Sequence, residues 1–459
     1  MNKRNKWILI GVIALVLLAL GAAAGLYYHD QTKTRTVRGS SSVEFVTTQA
    51  PGKKKRSHRV VLKTPWPQYG YDEARTHVAA DFHHRPPFRR VWTVETGWLV
   101  EFPPAIGDGL AFVGNLKGRF LAIHADTGKV AWRKEFGRCI ASGPAVKGRI
   151  VVVALTNPYP CLGHDNRTSQ RGFVVAMDAI TGRQLWRHPM GVTESSPLVV
   201  RDLVYVGSWD HRVYALDLDN GKTRWTYDTG EEIDSSAAYA DGMVYIGGND
   251  GHVFAFNAWN GNLLWRASSF SRFGRREYFY ATPAVAYGRV YIGNTDGTLY
   301  AFGAKSGDLL WAQHAGTYVY TAATVWRRRV YIGTYDGYFK AYNAATGDEI
   351  WSWSAPAKVH AASTIMAGLV YLSTASTFPG AHPSRYIKRG PRGIYALNAL
   401  TGKPVWQHLG IGMYSPVVAD EDRTYLIGST RVYAVESRNE QKRHRAAPSK
   451  QTKKHKRRP

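Results

Sequence analysis

Short apolar runs broken by Gly, Asp and Asn clusters recur from about residue 64 to residue 437. In residues 195–225, the runs SSPLVV, LVYVG, VYALD and KTRW are separated by turns at positions 201–202, 209–212 and 219–221. Alternation of apolar and polar positions predicts β-strands, and the turn residues between them predict hairpins. Four short strands in about forty residues are typical of one β-propeller blade.

A fixed spacing of Ala, Gly and Trp marks each of these units. The Trp follows the Ala by ten residues and the Gly by four, as in Ala215, Gly221 and Trp225. Tight turns such as Asn-Gly and Thr-Gly supply the positive φ that a hairpin needs. The small Ala leaves room for the indole to lie over the strand and close the gap to the neighbouring blade. The seven pairs are Ala122/Trp132, Ala176/Trp186, Ala215/Trp225, Ala255/Trp265, Ala301/Trp311, Ala341/Trp351 and Ala396/Trp406.

An eighth blade is shared between the two ends of the repeat region. The last repeat ends at Ala434, and His444 stands where its Trp would be. Trp92 lies forty residues before Trp132, so an N-terminal outer strand supplies the missing part. Such sharing closes the ring and hides both sheet edges. We therefore predict an all-β, eight-bladed propeller over residues 64–437, preceded by one transmembrane helix.

The Ala-x5-Gly-x3-Trp signature resembles the tryptophan-docking repeat of the quinoprotein (PQQ) β-propellers. It is also similar to the propeller of the outer-membrane-assembly lipoprotein of Gram-negative bacteria, which binds no quinone. Quinoprotein dehydrogenases hold the quinone over a Trp and beneath a disulfide between adjacent cysteines, with a Ca²⁺ beside it. Here the two cysteines are 22 residues apart, the long insertions are missing and no catalytic Asp motif can be matched. The resemblance therefore implies the fold, with neither PQQ nor Ca²⁺ expected.

Residues 7–28 form an uncharged stretch of 22 residues, long enough to span a bilayer. Trp7, Tyr27 and Tyr28 stand at its ends, where interfacial aromatics are typical. We predict a cytoplasmic basic segment (1–6), a signal anchor (7–28) and a disordered basic linker (29–63). A cleavable signal peptide is the alternative, since Ala22-Ala23-Ala24 suits a signal peptidase. Both interpretations place the propeller on the extracytoplasmic side, and the anchor makes it a single-pass plasma-membrane protein. No Cys follows the apolar run, which departs from the lipoprotein family.

Positive charge is concentrated at the two ends of the chain. Residues 1–63 and 438–459 together carry +19 of the net +26. The tail 438–459 is predicted to be disordered. It either serves solubility or binds a polyanion such as anionic lipid or wall polymer. Nucleic acid is a poor partner, because the tail has no aromatic residues to stack on bases.

Two cysteines, Cys139 and Cys161, suit an oxidising compartment. Cys139 precedes the first strand of blade 2, and Cys161 lies in the loop between its second and third strands. Those two places are on the same face of a propeller, so a disulfide is geometrically reasonable. Two unrelated thiols are the alternative.

Long insertions between strands indicate which face of the propeller binds a ligand or partner. The loops 156–171 and 375–392 join second to third strands, and the linker 267–279 leads into a first strand. All three fall on one face, which we call the loop face, while the turn face keeps short connections. Elaborated loops on a rigid scaffold commonly carry binding. Neutral drift is the alternative, and it would scatter insertions over both faces.

At the channel mouth on the loop face, each blade offers the residue that precedes its inner strand by three. These positions place acids on blades 1, 3 and 4, tyrosines on blades 5 and 6, and His360 on blade 7. Such a mouth suits a cationic or peptidic ligand, or Ca²⁺; a polar rim holding water is the alternative. The candidate ligand-binding residues are Glu101, Glu194, Asp234, Tyr280, Tyr320 and His360.

No Ser/His/Asp arrangement or metal-ligand spacing rises above chance, so we predict no catalytic residues and no metal site. The favoured function is a non-catalytic binding or scaffold protein of the bacterial envelope, with envelope proteins or peptides as partners at the loop face. A PQQ-dependent quinoprotein dehydrogenase is the alternative.

Overall fold

The computed structural model describes residues 3–46, 64–161, 171–375, 390–411 and 417–438. It contains one helix, α1 (Lys3–Thr32), and then β-strands in chain order. Eight four-stranded antiparallel sheets form the blades, and one two-stranded hairpin stands between blades 4 and 5. The predicted eight-bladed propeller with an N-terminal helix is confirmed.

Blades 1 to 4 use β2 to β17. Their strands are Ala105–Gly107, Leu110–Gly114, Arg119–His124 and Val130–Glu135 (β2–β5); Ala145–Lys147, Ile150–Leu155, Gly172–Asp178 and Gln184–Met190 (β6–β9); Leu198–Val200, Leu203–Gly207, Arg212–Asp217 and Thr223–Asp228 (β10–β13); and Ala238–Ala240, Met243–Gly247, His252–Asn257 and Leu263–Ser268 (β14–β17).

The hairpin and blades 5 to 8 use the remaining strands. They are Ser271–Arg272 and Arg275–Arg276 (β18–β19); Ala284–Ala286, Arg289–Gly293, Thr298–Gly303 and Leu309–His314 (β20–β23); Thr324–Trp326, Arg329–Gly333, Tyr338–Asn343 and Glu349–Ser354 (β24–β27); Thr364–Met366, Leu369–Thr374, Gly393–Asn398 and Pro404–Leu409 (β28–β31); and Val418–Ala419, Thr424–Gly428 and Arg431–Ser437 (β32–β34). Blade 8 is completed by β1 (Phe88–Glu95), which pairs with β34 so that Trp92 faces Ala434. The predicted ring closure therefore holds.

The repeat signature joins each blade to the next one along the chain. Within a blade the Ala faces its own Trp across β-strands three and four, as Ala215 faces Trp225. The indole then covers the signature Gly of the following blade: a Cβ on Gly221 would lie 2.5 Å from Trp186. The same indole donates to the carbonyl of Leu218 at 2.8 Å. The glycine therefore serves two purposes, since it adopts φ +69° and leaves room for the indole.

Trp406 is the exception among the eight docking tryptophans. Blade 8 brings no signature glycine, and the indole packs edge-on against Phe88 at a centroid distance of 5.3 Å instead. The other seven indoles, of Trp92, Trp132, Trp186, Trp225, Trp265, Trp311 and Trp351, each donate to a backbone carbonyl of the next blade.

Part of the predicted disordered linker packs on the propeller. We call residues 33–46 the strap. Val37 exchanges two backbone hydrogen bonds with Ala312 of β23, and Phe45 stacks on Tyr287 at 5.3 Å. The fully buried Arg289 explains the docking, because its guanidinium donates to strap carbonyls such as that of Ser40 at 2.6 Å. Of the predicted linker 29–63, residues 29–32 belong to α1 and residues 33–46 lie against blades 5 and 6; residues 47–63 lie outside the described residues, as do 439–459 of the tail.

Candidate functional site

The three departures from the basic blade and the cysteine pair all begin and end on the loop face. Cys139 and Cys161 are joined by a disulfide with their Cα atoms 5.9 Å apart. Two backbone hydrogen bonds tie Cys139 to Thr156 and Asn157 at the start of the long loop. Strand direction alternates within a blade, so chain leading into a first strand and chain leaving a second strand emerge together. Residues 162–170 and 376–389 of the two long loops lie outside the described part of the chain.

The acidic side of the mouth is a hydrogen-bonded cluster. Glu194 accepts a hydrogen bond of 2.8 Å from the Tyr280 hydroxyl. Asp234 accepts from the Asn249 amide at 2.7 Å and from the Trp209 indole. The inner strands converge on the propeller axis, and this brings together carboxyl groups that are forty residues or more apart in sequence.

Burial and mutual repulsion favour the protonated acids. Burial raises the pKa of Glu101 to about 7. Burial, and then the nearby Asp234 and Glu101 carboxyls, raise the pKa of Glu194 to about 8. A carboxyl that is kept neutral in this way loses its proton when a cation arrives, because the cation stabilises the charged form. The mouth is therefore suited to a positively charged group. Its affinity for such a group should increase as pH rises, because more of the carboxyl groups are then ionised.

The aromatic side of the mouth contains a cationic side chain, Lys358. Tyr320 lies edge-on to Tyr280 at 5.0 Å and stacks on Tyr335 at 4.8 Å. The ammonium of Lys358, which is buried, lies 4.8 Å from the Tyr335 ring centroid. His360 hydrogen bonds to the Tyr335 hydroxyl, and burial, with Lys358 second, lowers its pKa to about 3. His360 is therefore neutral, and the face left for an incoming cation lies at Tyr280 and Tyr320.

The channel beneath the mouth is filled by residues 64–84, which we call the plug. Carbonyls of Pro67, Glu73, Ala74, Thr76 and His77 accept from inner strands of five blades, at Val146, Tyr239, Val285, Val325 and Ile365. Trp66 pairs with Ile106 of blade 1, and the Gln68 side chain accepts from Val199 of blade 3. The His84 ring lies 2.8 Å from the carbonyl of Asp420 in blade 8. One segment thus contacts the inner strands of seven blades and, in blade 8, the residue that follows the inner strand.

Arg75 locks the plug in place from within. It is fully buried, and its guanidinium donates to the carbonyls of Ala237 at 2.9 Å and Ser196 at 3.2 Å, and also to that of Tyr69. The Tyr69 ring then forms the floor of the mouth with Phe102.

The role of the plug was not predicted from the sequence, because residues 64–87 were assigned to the propeller itself. The available signal was a dense aromatic run, WPQYGYD, with no counterpart in the repeat.

Above this floor the described residues leave a cavity of about 50 Å³. Its lining includes Glu194, Asp234, Tyr280 and Tyr320 around Tyr69. Cofactor and drug-sized sites usually measure about 300–1,000 Å³, so a tricyclic quinone does not fit. In the described part of the chain no group of three or more His, Cys, Asp and Glu side chains is arranged to hold a metal ion. The cavity fits one side-chain-sized group.

Comparison with known proteins identifies one family. Residues 88–168, 141–324 and 296–456 match the family model described as outer membrane protein assembly factor BamB. The chain is 31% identical over 144 residues to outer membrane protein assembly factor BamB of Burkholderia pseudomallei, covering 30% of this chain and 33% of that protein. The match thus spans about a third of that curated relative's length.

Solved structures agree on the fold. BamB from Moraxella catarrhalis superposes with a TM-score of 0.60 at 17% identity, covering 76% of this chain and 99% of that one. Quinohemoprotein alcohol dehydrogenase from Pseudomonas putida gives 0.65 at 12% identity, covering 81% of this chain and 80% of that one. At these identities the likeness shows the fold alone.

Proposed function

This chain belongs to the family described as outer membrane protein assembly factor BamB, and from that membership we propose that it is a non-catalytic binding protein of the bacterial cell envelope. Its loop face receives a protein or peptide partner, and the channel mouth takes one basic side chain of that partner. Glu101, Glu194 and Asp234 receive the positive charge, and Tyr280 and Tyr320 contact its alkyl stem and ammonium.

The observation that carries this proposal is the closed channel. The plug leaves a cavity of about 50 Å³ lined by carboxyl groups and tyrosines. A space of that size admits a lysine or arginine end group but no cofactor. The rigid ring around it supports the elaborated loops, so the partner contacts a face rather than entering a tunnel.

The helix α1 holds the propeller at a membrane in this proposal. Val12–Thr32 has a mean hydropathy of 1.9, and none of the span is buried in the protein. The strap continues directly from the helix and is bonded along blades 5 and 6. The disulfide of Cys139 and Cys161 is compatible with an extracytoplasmic propeller.

Site-directed photocrosslinking of the full-length protein in its native membrane tests the proposal. A benzophenone amino acid replaces Tyr318 on the loop face or Asp308 on the turn face. We expect a discrete crosslinked partner from position 318 and none from position 308. Glu194→Gln and Asp234→Asn should reduce that crosslink about tenfold or more, because a hydrogen bond to a charged group contributes about 1.5–3 kcal/mol.

The pH dependence of the crosslink distinguishes a binding site at the mouth from a polar rim that only holds water. Glu101 and Glu194 lose their protons as pH rises through about 7 and about 8, so crosslinking from position 318 should increase between pH 6 and pH 9. A pH-independent crosslink, or one that responds to turn-face substitutions such as Lys222→Gln, would overturn the site. Loss of the crosslink on removal of residues 439–459 alone would assign the partner to the tail.

The dehydrogenase alternative has its own assay. The purified protein is incubated with PQQ and Ca²⁺, and dye-linked oxidation of alcohols and sugars is measured. We expect no turnover above the blank. Reproducible turnover would replace the binding function with the quinoprotein activity.

A further inference from the structure

The hairpin β18–β19 lies against the end of α1. The backbone N–H of Phe273 donates to the Gln31 side chain at 2.7 Å. The Phe273 ring lies 6.1 Å from Tyr27 and 5.8 Å from Tyr28, centroid to centroid. The hairpin belongs to the insertion 267–279, so a loop-face element meets the chain where it leaves the apolar helix.

A cleft of about 470 Å³ opens between the helix end and the hairpin. It is lined by Gln31, Thr32, Arg272, Phe273, Arg275 and Glu277. Two guanidinium groups and an amide offer donors against one carboxylate, while the Thr32 hydroxyl donates to the Tyr28 carbonyl at 2.9 Å. Guanidinium groups bind phosphate oxygens in a paired, planar geometry. The chemistry of the cleft fits a phosphate diester.

The cleft stands at the level where lipid headgroups would lie if α1 spans a bilayer. Tyr27 and Tyr28 end the apolar stretch and are 55% and 63% exposed, as expected for aromatics at a membrane interface. Phe273 at the hairpin tip is 48% exposed. Exposed basic residues follow it in the hairpin, at Arg275 and Arg276, and Lys33 follows the helix end.

The strap fixes which face of the propeller looks toward that membrane. The chain leaves α1 beside the loop-face hairpin, passes Ala312 at mid-height on β23 and reaches Tyr287 in a turn-face connection. The strap therefore runs from the loop face to the turn face as it leads away from the helix. The loop face is accordingly the side nearer the membrane.

We propose that this cleft binds the phosphate-bearing headgroup of an anionic phospholipid, and that the hairpin is a second membrane contact holding the loop face toward the bilayer. The proposal rests on the membrane anchor of the proposed function. The interfacial aromatic Phe273 supplies apolar contact, and Arg272 and Arg275 supply the charge. The partner-binding mouth would then work beside the membrane surface rather than away from it.

Fluorescence quenching by spin-labelled lipid tests the proposal on the full-length protein reconstituted in vesicles. The native cysteines are paired, so one introduced thiol can be labelled, at Tyr278→Cys on the loop face or Lys305→Cys on the turn face. Vesicles contain either phosphatidylcholine alone or phosphatidylcholine with phosphatidylglycerol, and each carries a phospholipid with a nitroxide near the headgroup. We expect strong quenching at position 278 only in anionic vesicles, and little at position 305 in either.

Charge variants measure the contribution of the cleft. Arg272→Gln with Arg275→Gln should weaken the hairpin–lipid equilibrium by roughly fivefold per charge, and return quenching to the level in phosphatidylcholine vesicles. Lys222→Gln with Lys403→Gln removes the same charge from the turn face and should change nothing. Soluble glycerol phosphate should not displace the contact; displacement would show a free-anion site and overturn the lipid assignment.

The outcomes separate the headgroup site from the anchor. Equal quenching in both lipids, or no effect of the arginine substitutions, overturns the headgroup site while the protein still floats with the vesicles. Failure of the wild-type protein to float with the vesicles would show that α1 does not anchor it, and would remove the membrane premise of both proposals.

Discussion

Gly221→Ala tests the interlocking of neighbouring blades. The new Cβ would lie 2.5 and 2.6 Å from ring atoms of Trp186, far inside van der Waals contact. The indole would therefore be displaced, and it would lose its hydrogen bond to Leu218. The backbone at Gly221 also has φ +69°, which an alanine adopts at a cost of about 1–2 kcal/mol.

Gly109→Ala is the matched control. Gly109 has φ +74°, and a Cβ there would meet nothing within 4 Å. We expect the control to lose about 1–2 kcal/mol of unfolding free energy from backbone strain alone. Gly221→Ala should lose roughly 3 kcal/mol more, because burial of an indole contributes about 2–3 kcal/mol and its hydrogen bond about 0.5–1.5 kcal/mol.

Urea unfolding of the full-length protein in detergent, followed by near-ultraviolet circular dichroism, gives the two free energies. The midpoints should differ while the m-values agree. A double-mutant cycle with Trp186→Ala provides the internal check, since without the indole Gly221→Ala should cost no more than Gly109→Ala. Equal midpoints for the two glycine variants in the wild-type background would refute the account of the docking glycine.

Three further outcomes are expected. Glu101 and Glu194 have folded pKa values of about 7 and about 8, above the ordinary range, so the folded state holds extra protons. The unfolding free energy should therefore fall on the order of 6 kcal/mol from pH 5 to pH 9, and Glu194→Gln should flatten that slope in a urea titration. Replacing Cys139 and Cys161 by Ser should lower the unfolding free energy by about 3 kcal/mol, and an unchanged midpoint would show that the disulfide contributes no stability. Arg75→Met should cost about 3–5 kcal/mol and accelerate proteolysis of the plug, because buried carbonyls lose their donor; unchanged proteolysis would refute the locking role.

The blades could be predicted from the sequence because their determinants are local. Turn glycines, two-residue alternation and the Ala-to-Trp spacing act within about forty residues, and the repeat reveals the unit seven times. Trp92 could be assigned to the last blade because a ring must close its edges. The candidate residues at the channel mouth could be chosen from strand order alone, because every inner strand of a propeller starts at the same height along the channel axis.

What surrounds those positions was decided by tertiary structure. The partner of Gly221 is a Trp from the preceding blade, the channel is occupied by residues 64–84, and the strap is held by Arg289. The Trp–Gly contact recurs with the repeat, but which blade supplies the indole is set by the packing of neighbouring blades. The plug and strap contacts have no sequence period, because each joins segments that are brought together only when the ring has closed. Protonation follows the same logic: Glu194 has a raised pKa because Asp234 and Glu101 converge on it in a buried mouth. Local hydrogen bonding and side-chain alternation set the strands, whereas burial and charge proximity at the axis depend on the closed ring.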